Sequence, residues 1–270
     1  MLDENSVEHF RSEGYVKIKH KNIISQVNNL VSYLREVTIS VAQEIGMNLT
    51  DKSSEIIEED DLHQLLIDIH KLNPKAFAFI YDVMNRSSAI YHLMLADSLI
   101  DMISKLFPSS INEKCLVAMN NFQFLMQRHG DEANINGVHQ DSGYFSEYGS
   151  IDSSIVVWIP ITDVYFGAGT IEVIPASHKR GPLKHSQNSI KLRKSLVTDR
   201  SERGGIFVPK SEYKEGDLIP IDCMKGEAAI MHYDLLHRTG LNHSQKIRMT
   251  ALARLSNVFG KNYINKYGIW

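Results

Sequence analysis

The chain reads as a mainly β protein, a jelly roll or β-sandwich with helices packed outside it and placed ahead of it in sequence. Apolar spacing is helical up to about residue 110 and switches to period two from Cys115 onward. Gly, Pro, Asn and Asp then separate the alternating runs. With 270 residues, 43% of them hydrophobic and 23% charged, the chain can bury a core that needs no covalent staples. All-β units of this size occur as single domains. The expected organisation is one domain over 1–270, mostly helical over 1–110, with the jelly-roll core over 115–258.

The elements follow in order. Ser6 before "VEHF" looks like an N-cap, and Gly14 ends the short helix it would start. "YVKIK" alternates and predicts a strand, while residues 22–46 carry apolar residues at helical spacing and stop at Gly46. "DKSSEIIEEDD" holds six carboxylates against one lysine and reads as a solvated loop or helix start. Helical patterns follow over 76–84 and 88–106, before Pro108. "LVAMNNFQFLMQ" then sets Phe122, Phe124 and Met126 on one face and Gln123 and Gln127 on the other. "SSIVVWIPI", "GTIEVIPA", "GEAAIMHY" and "RMTALARLSNV" predict further strands. Residues 179–210, with nine Lys or Arg against two acidic residues, read as a long mobile insertion between strands.

Composition narrows the function. A formal net charge of −3 argues against a nucleic-acid partner held by bulk electrostatics, which needs a basic face. Cys115 and Cys223 are too few for a disulfide framework or a cysteine zinc site, and suit a reducing cytoplasm. "MLDENSVEHF" starts acidic, unlike a signal peptide, and no run reaches the ~20 apolar residues that span a bilayer. A cytoplasmic protein without a membrane partner is expected.

"GVHQDSGYF" carries the chemistry. On extended backbone His139 and Asp141 point to the same side and can reach one metal ion. Two histidines and a carboxylate on one octahedral face, with open positions opposite, suit non-haem Fe(II) and oxygen. The C-terminal strands offer His232, His237 and His243, followed by Arg248. An Fe(II) oxygenase needs a two-electron reductant such as 2-oxoglutarate, whose distal carboxylate a planar guanidinium fits best.

At these residues the chain resembles the phytanoyl-CoA dioxygenase family of Fe(II)/2-oxoglutarate-dependent oxygenases. "HQDSGYF", "VVWIPITDVYFGAGTIEVIPASHKRG" and "HRTGLNHSQKIR" are similar to three family blocks in the family's order, and "EHFRSEGYVKI" to its opening. The resemblance implies a cupin-like double-stranded β-helix with His139, Asp141 and His237 as iron ligands. It chooses His237 because "RTGLN" follows directly and Arg248 comes eleven residues later. It implies that Arg248 and Thr239 hold 2-oxoglutarate, with Trp158 lining that pocket and Gln127 where some relatives carry a basic contact. Gln123 and Tyr144 are candidate substrate contacts. His232 is expected in the core or behind the ligands, His243 exposed and His178 structural. Ala176 stands where the family carries glycine, with little consequence expected.

The implied reaction couples decarboxylation of 2-oxoglutarate to hydroxylation of an unactivated C–H bond of a small molecule, consuming O2. Related halogenases replace the carboxylate ligand with a small residue, so Asp141 argues for hydroxylation or another oxidation. Lys184, Lys191, Arg193, Lys194, Arg200 and Arg203 would make 179–210 a lid for an anionic substrate, and a solvated basic loop is the alternative. Two other readings stay open: a cupin-type metalloenzyme that does not use 2-oxoglutarate, and a binding relative that has lost turnover.

Overall fold

The computed structural model of the chain describes residues 2–49, 59–107, 116–118, 122–131, 137–145, 154–191 and 202–257. Its first helix, α1 (Glu4–Glu13), is capped by Asp3, whose carboxylate accepts the Ser6 N–H at 2.8 Å. Ser6 therefore lies inside the first turn and is not the cap. An ionised carboxylate is the stronger acceptor at the positive end of the helix dipole. Gly14 ends α1 at φ 83°, and β1 (Tyr15–Lys19) follows as the alternation predicts.

α2 (Lys21–Glu44) buries Ile23, Val27, Leu30, Val31 and Leu34 along one stripe. Each such side chain contributes roughly 1.5–3 kcal/mol by leaving water. In the acidic run, residues 51–58 lie outside the described residues, while Glu59, Asp60 and Asp61 form the first turn of α3 (Glu59–Leu72). α4 (Pro74–Met84) is capped by Asn73. The single helix expected over 88–106 is two, α5 (Ser88–Met94) and α6 (Asp97–Ser104). The chain breaks at Ala96, which adopts φ −58° and ψ 125° with no side-chain cap.

The strands are β2 (Leu116–Ala118), β3 (Gln123–Gln127), β4 (Ser154–Pro160), β5 (Ile171–Val173), β6 (Ser186–Lys191), β7 (Glu202–Phe207), β8 (Ile219–Ile221), β9 (Glu227–His232), β10 (His237–Thr239) and β11 (Arg248–Asn257). The short helix α7 (Ser142–Phe145) lies before β4. A six-stranded antiparallel sheet runs β1-β9-β4-β11-β2, with β3 also paired to β11. A three-stranded sheet, β10-β5-β8, faces it. The basic stretch supplies a 3-10 turn at Ser177–Arg180 and the antiparallel arms β6 and β7, and residues 192–201 between the arms lie outside the described residues.

Alternation on the large sheet sorts side chains into two compartments. Phe122, Phe124, Met126, Met249, Ala251, Ala253 and Leu255 face outward into the core shared with α2 to α6. Val156, Trp158, Met231 and Leu252 face the small sheet in a second apolar cluster. β11 is buried on both faces over its ten residues. Arg248 and Arg254 share the inward parity of Leu252, which places two guanidinium groups between the sheets. Among the described residues no helix is long and apolar enough to cross a membrane.

Ala176 departs from the expectation of little consequence. It is the one described non-glycine residue with positive φ, at 59°, where a Cβ crowds the following carbonyl. Ala176→Gly should raise stability by about 0.5–1 kcal/mol, the relieved strain less the entropy of a freer unfolded chain. A higher urea midpoint with an unchanged slope would show it.

Candidate metal centre

His139 and His237 meet across an isolated antiparallel bridge, each donating its backbone N–H to the other's carbonyl at 2.9 and 3.0 Å. Their rings stand 4.3 Å apart between centroids. Nδ1 of His139 lies 2.7 Å from the Gly137 carbonyl oxygen, and Nδ1 of His237 lies 3.0 Å from that of Leu235. A carbonyl oxygen only accepts, so each Nδ1 carries the proton and each Nε2 keeps its lone pair. Backbone carbonyls orient metal-binding imidazoles in this way.

Asp141 completes the set. Ligand atoms of His139, Asp141 and His237 lie within 4.8 Å of one another, and all three residues are buried. Asp141 Oδ1 accepts from Arg254 Nη2 at 3.0 Å, whereas Oδ2 is buried with no hydrogen-bond partner among the described residues. A buried carboxylate oxygen without a donor beside two imidazole lone pairs is what a divalent cation satisfies. The triad fits a first-row metal.

The electrostatics prepare the donors. Burial raises the Asp141 pKa, but Arg254, His237 and His139 outweigh it and hold the carboxyl at about 2. Burial, then the neighbouring His237, pushes His139 down to about 3. Both donors are therefore free of protons at neutral pH.

A stability prediction follows for the metal-free protein. His139 titrates near 6.5 when unfolded and near 3 when folded, so between those values the unfolded chain binds the extra proton. Stability is then lost as pH falls from 6.5 toward 3, by about 2 kcal/mol between pH 7 and pH 5. Asp141, depressed below its usual 3.8, adds a loss only under pH 4. Urea unfolding with chelator at pH 7 and pH 5 should show the drop, and His139→Asn should reduce it.

Beyond His237 the chain passes Thr239, half-buried on the same side of β10, and reaches Gly240. There a second pocket opens. Arg248 is 4% exposed, and its Nη1 reaches only the Gly169 carbonyl at 3.4 Å. Its Nε and Nη2 are buried without hydrogen-bond partners, and burial lowers its pKa to about 10, so it stays cationic at neutral pH. Gln127, paired with Arg248 across β3 and β11, is fully buried with Oε1 unpartnered. A Cβ on Gly169 would lie 2.7 Å from Gln127 Oε1 and 2.9 Å from Arg248 Cδ, so glycine there lets backbone close over both. Buried guanidinium donors left unfilled form a receptor for an anion with planar oxygens. A dicarboxylate fits.

Trp158 sits in the apolar cluster between the sheets, paired with Leu252 and Ala229. Gln123 faces inward, with Oε1 accepting from Arg254 Nη1 at 3.4 Å. Tyr144, on α7, sets its ring edge-on to His139 at 5.5 Å, and its hydroxyl oxygen accepts the Ile206 N–H. His232 turns away from the triad and packs on His178 at 4.8 Å, while His178 touches the Arg11 carbonyl at 3.1 Å. His243 is exposed. Of the basic lid residues, Lys184 is exposed, and the side chains of Lys191, Arg193, Lys194, Arg200 and Arg203 lie outside the described residues.

Three residues of the site were not foreseen. Gln140 is fully buried and ties the loop ahead of β6 to the turn after β9, donating to Gly181 and Asp234 carbonyls and accepting from Leu183. Asn242 donates to the Gln127 and Lys246 carbonyls and so holds the anion pocket shut. Arg254 was the most legible of them, a lone charge inside an apolar strand at an even offset from Arg248.

Fold and site together define a jelly-roll protein with a two-histidine, one-carboxylate centre beside a buried anion receptor. The family model described as phytanoyl-CoA dioxygenase matches residues 55–250. The chain belongs to that family. It is 24% identical over 184 residues to the phytanoyl-CoA dioxygenase domain-containing protein 1 homolog of Dictyostelium discoideum, a match spanning 67% of this chain and 54% of that protein. Among solved structures it is similar to the apo form of the non-haem monooxygenase ThoJ, with TM-score 0.58 at 15% identity, covering 94% of this chain and 77% of that one. It is also similar to the epimerase SnoN in complex with Fe3+, alpha ketoglutarate and nogalamycin RO, with TM-score 0.54 at 13% identity over 94% and 83% of the chains. A third is EvdO2 from Micromonospora carbonacea var. aurantiaca complexed with 2-oxoglutarate, with TM-score 0.52 at 15% identity over 95% and 91%. At these identities the likeness shows the fold.

Proposed function

We propose that the protein is an Fe(II)- and 2-oxoglutarate-dependent dioxygenase that hydroxylates an unactivated C–H bond of a small molecule. His139, Asp141 and His237 are its metal ligands, and Arg248, with Thr239 and Gln127, receives the distal carboxylate of 2-oxoglutarate. The observation that carries this reading is the unfilled Arg248. A guanidinium held between two sheets with two donors unpaired costs stability, and a cupin-type metalloenzyme without 2-oxoglutarate has no use for it.

When bound, Fe(II) and 2-oxoglutarate supply the two-electron reduction that lets O2 attack an inert C–H bond, releasing succinate and CO2. The chain's own residues do the rest. The carbonyls of Gly137 and Leu235 fix the imidazoles, Arg254 fixes Asp141, and the apolar cluster around Trp158 keeps water from the space between the sheets. Thr239, on the His237 side of β10, offers a hydroxyl to the cosubstrate, and Trp158 lines its pocket. Tyr144 and Gln123 stand on the substrate side. The excess of nine cations over two carboxylates in residues 179–210 favours a substrate that carries negative charge.

Turnover tests the reading. Aerobic protein with Fe(II) and 2-oxoglutarate should form succinate slowly without substrate and faster with one, and His237→Ala should form none. Tight Fe(II) binding with 2-oxoglutarate neither bound nor consumed would contradict it.

A further inference from the structure

We propose that Arg254 is a positioning residue for the metal centre: its guanidinium takes Oδ1 of Asp141 and so leaves Oδ2 as the carboxylate's single donor to the metal. The inference rests on the metal-centre reading above. A carboxylate with both oxygens free can bind a cation through one or both of them. Here Nη2 of Arg254 stands 3.0 Å from Oδ1, and Oδ2 is the buried atom without a partner. The two oxygens of one group thus have different surroundings, which is what selects one-oxygen binding.

The guanidinium is itself held. Arg254 is 7% exposed, lies within β11 opposite Val156 of β4, and lends Nη1 to Gln123 Oε1 at 3.4 Å. Gln123 comes from β3, the strand that also carries Gln127. One planar fork therefore joins two strands of the large sheet to the metal-binding carboxylate, a geometry that an ammonium cannot copy. Binding through one oxygen matters because the triad must leave positions open for cosubstrate and oxygen, and a chelating carboxylate would occupy one of them.

The test uses Co(II) alone, whose visible ligand-field bands change intensity with coordination number. Wild type should bind Co(II), and His237→Ala should not. Arg254→Met should weaken Co(II) binding by about tenfold or more, the usual effect of losing a partner behind a ligand, and should change the band intensities. Arg254→Lys should recover part of the affinity, and Gln123→Leu should shift the spectrum the same way by less. A folded Arg254→Met with wild-type affinity and spectrum would overturn the proposal. If that variant does not fold, wild-type values for both Arg254→Lys and Gln123→Leu would overturn it. Wild type that binds Co(II) no better than His237→Ala would overturn the metal-centre reading and this proposal with it.

Discussion

An Arg248→Met variant is expected to weaken 2-oxoglutarate binding by about 2–5 kcal/mol, roughly 30-fold to several-thousand-fold, without destabilising the cosubstrate-free protein. The two halves have one cause. Before the cosubstrate arrives, Arg248 is a buried cation with Nε and Nη2 unpaired, and burial pulls its pKa down to about 10. Such a group opposes folding. Methionine has a similar stem and no charge, so it fills the space and removes the penalty. With cosubstrate present, the same charge is the partner of a buried carboxylate, and its loss is felt in full. Thermal unfolding without ligand and titration with 2-oxoglutarate separate the halves. A variant melting several degrees lower, or binding 2-oxoglutarate as well as wild type, would show that Arg248 is an ordinary strand arginine.

Removing ligands should split by residue. His237→Ala should lower Fe(II) affinity by more than the ~10–100-fold that follows loss of a group behind a ligand, with little change in the metal-free fold. Asp141→Ala should lose the metal and also destabilise the fold by about 3–5 kcal/mol, because it leaves Arg254 buried without its carboxylate at 3.0 Å. Asp141→Asn keeps the shape and one acceptor, and should fall between. Metal titration and urea unfolding of the three variants give the comparison. Equal stability of Asp141→Ala and His237→Ala would mean that the Arg254–Asp141 pair carries no weight in the fold.

Legibility in the sequence followed the range of the interactions. The alternation in "LVAMNNFQFLMQ" reports a strand between two environments, and the structure puts Phe122, Phe124 and Met126 against the helices and Gln127 inside. His139 and Asp141 were legible because a strand's period of two is local. His237 was not, since its partner stands 98 residues earlier across an isolated bridge, and only the family pattern singled it out from His232 and His243. The break at Ala96 left no local mark, having neither Gly, Pro nor a capping side chain. The start of α3 was ambiguous because the carboxylates of Glu59, Asp60 and Asp61 favour a helix N-terminus and a solvated loop alike. Arg254 on Asp141 spans 113 residues, and no periodicity encodes that.

The central claim is that one space between the sheets holds a metal at His139, Asp141 and His237 and an organic dianion at Arg248. The most direct measurement adds Fe(II) and then 2-oxoglutarate to the protein without oxygen and follows visible absorption. The account predicts a weak charge-transfer band from 2-oxoglutarate chelated to the metal, absent in His237→Ala and much weaker in Arg248→Met. Wild-type protein that shows no band while binding another metal tightly would contradict it and favour a jelly-roll metalloenzyme that does not use 2-oxoglutarate.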